Sequence, residues 1–274
     1  MSRHRRLARS AVARVVPAPL REPISRQLER PGLELDHRLT RDGRLSRTLL
    51  TDCRDEFRGQ RAVIIGNGPS LNNTDMSLLS SERTFGLNRF YLASHDLGWT
   101  PTFTVCINGL VTQQVHKDLA TVPSRRFFRW STRHLFPQDR RTAFLHSRTT
   151  PSFATDVRQG VWEGATVTFV AMQLAFHMGF STVLLVGVDH SFETKGPANQ
   201  TVESGGADPN HFHPDYFGKG FRWQLPDLET SEIAYRLARG SFESDGRSII
   251  DCTVGGHLTT FPRLDLAEAL RLES

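Results

Sequence analysis

The densest collection of reactive side chains in this chain is Pro209-Asn210-His211-Phe212-His213-Pro214-Asp215-Tyr216-Phe217-Gly218-Lys219-Gly220-Phe221-Arg222. It holds two histidines, an acid, a tyrosine, an arginine and one of only three lysines in 274 residues. An imidazole can take or give a proton near neutrality, so His211 or His213 is a candidate general base. Pro214 biases the residue before it toward extended backbone, which stiffens His213 and favours it over His211. Tyr216, Lys219 and Arg222 can hold an anionic leaving group through charge-assisted hydrogen bonds. The His-x-His pair lacks a third ligand at a defined spacing, so no metal site is expected. A plain polar surface loop is the other reading of this segment.

A second constellation offers anion binding. Ala62-Val63-Ile64-Ile65 reads as a short buried strand that runs into Gly66, Asn67 and Gly68, residues that tolerate tight and left-handed turns. Pro69 and Ser70 then suit the first turn of a helix. Free N–H groups and the positive end of a helix dipole would converge on one spot, where a phosphate fits. The pattern is neither the dinucleotide fingerprint nor the P-loop, so those cofactor classes are not implied. A simple tight turn between strand and helix remains the alternative. Three further polar residues close predicted strands: Asn88, Asn108 and Asp189. An amide side chain donates and accepts at once, which suits a ribose hydroxyl or a base edge, or else the cap of a turn. Thr166 or Thr168 can cap the apolar helix that follows, and the same helix start can meet a phosphate.

These residues need a scaffold that gathers strand ends. From residue 60 onward strands and helices alternate. Strands are predicted at Ala62–Ile65, Thr84–Leu87, Phe103–Ile107, Arg126–Trp130, Ala143–His146, Thr182–Val188 and Ser248–Ile250. Helices are predicted at Gly109–Ala120, Ala165–Met178, Leu228–Asp245 and Leu264–Leu272, with a short one near Leu45–Phe57. Alternation of this kind predicts a Rossmann-like α/β fold: a three-layer sandwich around a mainly parallel sheet. Ligands collect at the carboxyl ends of such strands, near the point where strand order reverses. Residues 193–209 are rich in Gly, Asn, Pro and Ser and long for a connection, which predicts a lid or substrate loop.

Charge divides the chain. Residues 1–60 carry 14 Arg, no Lys and 8 acids, a net of +6, and the remainder is close to neutral. The boundary falls between a basic N-terminal arm and linker at 1–59 and a nucleotide-binding domain at 60–274. Arg3, Arg5, Arg6, Arg9 and Arg14 alternate with apolar residues over 1–16, which suits peripheral contact with an anionic membrane face or a solvated arm. The body is not basic, so nucleic acid is not an expected partner. No apolar run approaches a membrane span and no leader peptide is evident. Cys53, Cys106 and Cys252 are scattered and form no CxxC pair, so a reducing, cytoplasmic compartment is expected.

The ordered set GNGPSL, GLNRFYL, GATVT, VLLVGVD and then a His/Tyr segment resembles the MptE-like family, named for an archaeal 6-hydroxymethylpterin diphosphokinase. The same order is similar to bacterial sialyltransferases that use a CMP-activated sugar. The resemblance covers about residues 60–262 and implies a Rossmann-like nucleotide-binding domain. The sialyltransferase pattern implies nucleotide contacts at Asn67, Ser70, Asn88, Asn108 and Thr166–Thr168, and a base at His211 or His213. A tyrosine that supports the leaving phosphate in those enzymes follows Gly-x-Asp closely. Here Asp189 is followed by His190 and Ser191, which leaves Tyr216 as the substitute. The expected activity is transfer from a nucleotide-activated donor to a hydroxyl, in cell-surface glycan synthesis. The runner-up is an ATP-dependent diphosphokinase, which would require magnesium with Asp189 as a ligand. A non-catalytic nucleotide-binding module of polysaccharide assembly is the third reading. No cofactor is otherwise implied.

Overall fold

The computed structural model describes residues 35–194 and 196–272. The basic arm at 1–16 lies outside them. In chain order the elements are α1 (Arg41–Asp52), β1 (Arg61–Ile65), β2 (Thr84–Leu87), α2 (Ser94–Leu97), β3 (Phe103–Cys106), α3 (Gly109–Thr121), β4 (Arg125–Arg129) and β5 (Thr142–Leu145). Then come β6 (Ser147–Arg148), β7 (Val161–Trp162), α4 (Val167–His177), β8 (Thr182–Val186), β9 (Thr201–Glu203), β10 (Arg222–Gln224), α5 (Leu228–Ser244), β11 (Ser248–Asp251) and α6 (Leu266–Ala269).

Seven strands form one sheet in the order β11-β8-β1-β2-β3-β4-β5, and every pairing is parallel. The chain steps outward from β1 to β5, then returns to the other side of β1 with β8. The order therefore reverses between β1 and β8, and a crevice opens above their carboxyl ends.

Strand periodicity splits the core between the two faces. Ile64, Phe85, Phe103 and Phe127 meet α4 and α5, whereas Val63, Ile65, Cys106 and Phe128 face the opposite layer. Alternate side chains of a strand point to opposite faces, so a sheet covered on both sides needs near-continuous apolar strands. Helix α4 is buried at ten of its eleven residues, because it lies between the sheet and α5. Its polar Gln173 is satisfied there, accepting from the Ala154 N–H (2.9 Å) and donating to the Trp162 carbonyl (2.9 Å).

The strand predictions hold to within two residues, and Thr84–Leu87 holds at both ends. Three predictions change. Residues 41–57, assigned to the linker, belong to the domain: Leu50, Cys53 and Phe57 enter the core, and the Ser46 hydroxyl accepts from the Phe144 N–H at 3.0 Å on the edge strand β5. The helix after Gly68 is a five-residue 3₁₀ turn, Pro69–Asn73. The final helix shortens to α6. The long segment after β8 is only partly irregular, since β9 and β10 pair antiparallel within it.

Candidate functional site

A cavity of about 330 Å³ opens at the reversal point. Its floor is the carboxyl ends of β1, β2, β3 and β8, contributed by Asn67, Asn88, Asn108 and Asp189. The N-termini of α3, α4 and α5 converge on it, and residues 190–192 and 223–227 close it from above. Gly66, Gly68, Thr166, Thr168 and His211 also line it, whereas His213, Tyr216, Lys219 and Arg222 do not.

The turn after β1 differs from its sequence expectation. Neither Gly66 nor Gly68 is left-handed; Gly68 has φ −69°. Both positions are glycine because the neighbouring β8 turn lies against them. A Cβ on Gly66 would sit 2.1 Å from the Gly187 carbonyl oxygen, and one on Gly68 would sit 1.7 Å from an Asp189 carboxylate oxygen. The donors expected to meet a phosphate are occupied. The Gly68 N–H donates to the Gly187 carbonyl at 2.9 Å. The Ser70 N–H and hydroxyl donate to Asp189 at 3.2 and 2.7 Å. Pro69 has no N–H to give. The anion at this helix start is thus the protein's own carboxylate, and Ser70 and Asp189 form a clasp between β1 and β8.

Two amides on the floor retain unused capacity. Asn67 donates through Nδ2 to the Leu87 carbonyl at 3.1 Å, and its Oδ1 is buried without a partner among the described residues. Asn88, held left-handed at φ 48°, also buries an unpartnered Oδ1. Buried polar atoms are almost always paired, so an orphan on a cavity floor marks a place for a donor from a ligand. Asn108 takes the capping role instead, accepting from the Leu110 and Val111 N–H groups at 3.0 and 3.1 Å. Thr166 caps α4 more loosely through the Thr168 N–H at 3.3 Å. Asp227 caps α5 through the Thr230 N–H at 3.0 Å.

Two histidines line the cavity: His190, whose Nε2 lies 3.4 Å from Glu232, and His211. The His211 Nδ1 is 2.7 Å from Asp208, whose side chain is only 3% exposed and is further held by the Asn210 N–H at 2.9 Å. A carboxylate only accepts, so Nδ1 carries a proton, and in the neutral ring the lone pair is on Nε2. That Nε2 has no partner among the described residues. His213 points elsewhere, its Nδ1 accepting from the Asp215 N–H at 3.1 Å. His213 does not line the cavity, whereas His211 does.

Tyr216 is fully buried and its phenol is pushed well above the usual range by that burial. It stacks on His211 with ring centroids 3.9 Å apart, and its hydroxyl meets the Arg89 N–H (3.4 Å) and the Asn88 side chain. It therefore braces a histidine and an amide rather than touching a ligand. Lys219 and Arg222 are exposed on the outer surface of the loop. The cation on the cavity wall is Arg129, at the end of β4, paired with Glu163 at 2.9 Å. Sequence reasoning missed Arg129, Glu163 and Asp208. Arg129 was concealed because its strand end was placed one residue late, at Trp130.

The carboxylates that line the cavity do not fit a magnesium cage. Asp189 is engaged by Ser70, Glu163 by Arg129 and the Ser147 hydroxyl, and Asp227 by Thr230 and Asn199. A hard cation needs several such oxygens free and convergent.

The comparisons agree with this architecture. The MAf glycosyltransferase of Magnetospirillum magneticum AMB-1 has a similar fold, with a TM-score of 0.51 at 17% identity. The match covers 84% of this chain and 39% of that one, so the chain spans about two fifths of the length of that enzyme. Among curated proteins none matches this chain in sequence. The family model described as 6-hydroxymethylpterin diphosphokinase MptE-like matches residues 43–195, more than half of the chain and including the β1 turn, Asn88, Asn108, Thr166 and Asp189. The chain belongs to the MptE-like family.

Proposed function

We propose that this protein is a transferase that moves a glycosyl group from a nucleotide-activated donor of the CMP-sugar type to a hydroxyl. The observation that carries the reading is His211 on the cavity wall, with Nδ1 tied to a buried carboxylate and the lone pair of Nε2 unengaged. Asp208 orients the ring and stabilises the imidazolium that forms when the ring takes a proton.

Asn67 and Asn88 accept from ribose hydroxyls, and the start of α4 with Arg129 receives the phosphate. Thr166 and Thr168 add hydroxyls there. Asp189 serves the nucleotide indirectly, by holding the β1 turn in place through Ser70. The acceptor oxygen bonds to the donor's anomeric carbon. The bond from that carbon to the phosphate oxygen breaks and its electron pair leaves with the phosphate. The acceptor's proton goes to His211 Nε2.

The family's description favours a second reading, an ATP-dependent diphosphokinase. The engaged carboxylates weigh against it. Calorimetry with CMP and with ATP, each with and without magnesium, separates the two. Metal-independent CMP binding is expected. ATP binding that requires magnesium, with no CMP binding, overturns the glycosyl reading in favour of the kinase.

A further inference from the structure

A second cavity, of about 260 Å³, adjoins the first and shares Arg129, Glu163 and Ala165 with it. It sits beyond the carboxyl ends of β4 and β5, at the edge of the sheet farthest from the β1–β8 clasp. We propose that it is the acceptor subsite and that it selects a hydroxyl-bearing acceptor carrying an acidic group. The inference rests on the transferase reading above.

Three observations support it. First, the short ladder of β6 and β7 pairs Arg148 directly with Trp162. Partners across a ladder project from the same face, so a guanidinium and an indole stand side by side on this wall. An indole face packs against the apolar face of a sugar ring, and a guanidinium takes a carboxylate or phosphate bidentately. Arg148 is exposed and has no ion-pair partner among the described residues. Second, the formal charges that line the cavity are Arg129, Arg148 and a single carboxylate, Glu163, which Arg129 already pairs, so the guanidinium of Arg148 is left over. Third, the wall between the two cavities is the turn Gly164–Ala165, with φ of 55° and 58°. A left-handed alanine stores strain, and such strain concentrates where a ligand must be clamped.

Placement fits the chemistry as well. The Tyr216 ring under His211 lies beside Cys106 at the end of β3, one strand from β4. Adjacent strands are about 5 Å apart. The two cavities meet at Arg129, Glu163 and Ala165, so an acceptor held in the second borders the donor cavity whose wall carries His211.

The test uses the full chain saturated with CMP and two matched probe pairs: methyl glucuronide against methyl glucoside, and glycerol 3-phosphate against glycerol. Binding is followed by ligand-observed NMR titration in wild type, Arg148→Gln and Trp162→Ala. At least one acidic probe is expected to bind about tenfold or more tightly than its neutral partner. Arg148→Gln should abolish that preference, and Trp162→Ala should weaken the uronate and leave CMP affinity unchanged. Which acidic probe wins identifies carboxylate or phosphate. Equal binding of acidic and neutral probes, or a preference that survives Arg148→Gln, overturns the proposal. If CMP does not bind but the Arg148-dependent preference persists, the cavity is an anion site and the acceptor assignment falls with the transferase reading. If CMP binds and the preference is absent, only the acceptor subsite falls.

Discussion

The turn at 66–71 and the loop at 208–217 border the same cavity and touch where the Phe212 N–H donates to the Asn67 carbonyl at 2.9 Å, yet they use polar groups in opposite ways. In the turn, the backbone and hydroxyl donors are consumed within the protein, through Gly187 and Asp189. In the loop, two buried groups, Asp208 and Tyr216, are spent on holding one ring so that a single nitrogen stays available. A glycine-rich turn can thus serve packing between two parallel strands. A reactive group, by contrast, is recognised by what its supports leave unsatisfied.

The largest effect that would break this comparison is on turnover. His211→Ala is expected to lose about 10²–10⁴-fold in rate, because a positioned general base contributes that much. CMP affinity should stay near wild type, since the ring contributes a proton path rather than a nucleotide contact. The paired variant His213→Ala should keep turnover and stability within assay error. A reversal, with His213→Ala inactive and His211→Ala active, would return the base to the position that local backbone stiffness favours.

A stability effect of comparable size must be separated from it. His37 is buried, and its pKa is lowered to about 4 by desolvation, with His146, Arg47, Arg133 and Arg38 adding to the effect. The unfolded chain takes up this proton near pH 6.5, whereas the folded chain resists until about 4. The neutral ring's stabilisation is therefore complete above about pH 6.5 and is lost as pH falls toward 4. The full loss is about 3 kcal/mol, at 1.36 kcal/mol per pKa unit. Urea unfolding at pH 7.0 and 4.5 should show the decline, and His37→Phe should flatten it. An unchanged pH slope in that variant would remove His37 as the cause. Turnover measured for the His211 test belongs above this window.

The smallest effect sharpens the other half of the comparison. Gly66→Ala pushes a methyl group into the Gly187 carbonyl, a backbone atom that cannot rotate away, so a loss of about 1–3 kcal/mol is expected from overpacking. At temperatures where the variant stays folded, CMP affinity should fall no further than it does in Asn67→Ala, because the shifted turn carries that amide. A loss well beyond that of Asn67→Ala in stable, folded protein would restore the turn as the phosphate site.

Much of the scaffold was legible in the chain. Runs such as Val183–Val186 and Ala62–Ile65 are continuous and apolar because both faces of a parallel sheet are covered, and that pattern is local. A cap at the start of α4 was legible as Thr166 or Thr168 because a cap reaches only two or three residues along the chain, whereas Asn108, expected to hold ribose or base with turn capping as the alternative, takes the cap of α3. The edge packing of α1 was not legible, since Ser46 meets Phe144 across 98 residues of sequence.

The sequence by itself determined the α/β class, the strand ends that border the cavity, and the two candidate histidines. Each follows from composition and periodicity over a few residues. Tertiary structure alone put His211 on the cavity wall and His213 off it, packed Tyr216 under His211, and left Lys219 and Arg222 on the surface while Arg129 lines the cavity. It also assigned the donors at Ser70 to Asp189, 119 residues away. Those choices depend on which side of a loop faces the sheet and on which partners close over long separations, and no local pattern encodes either.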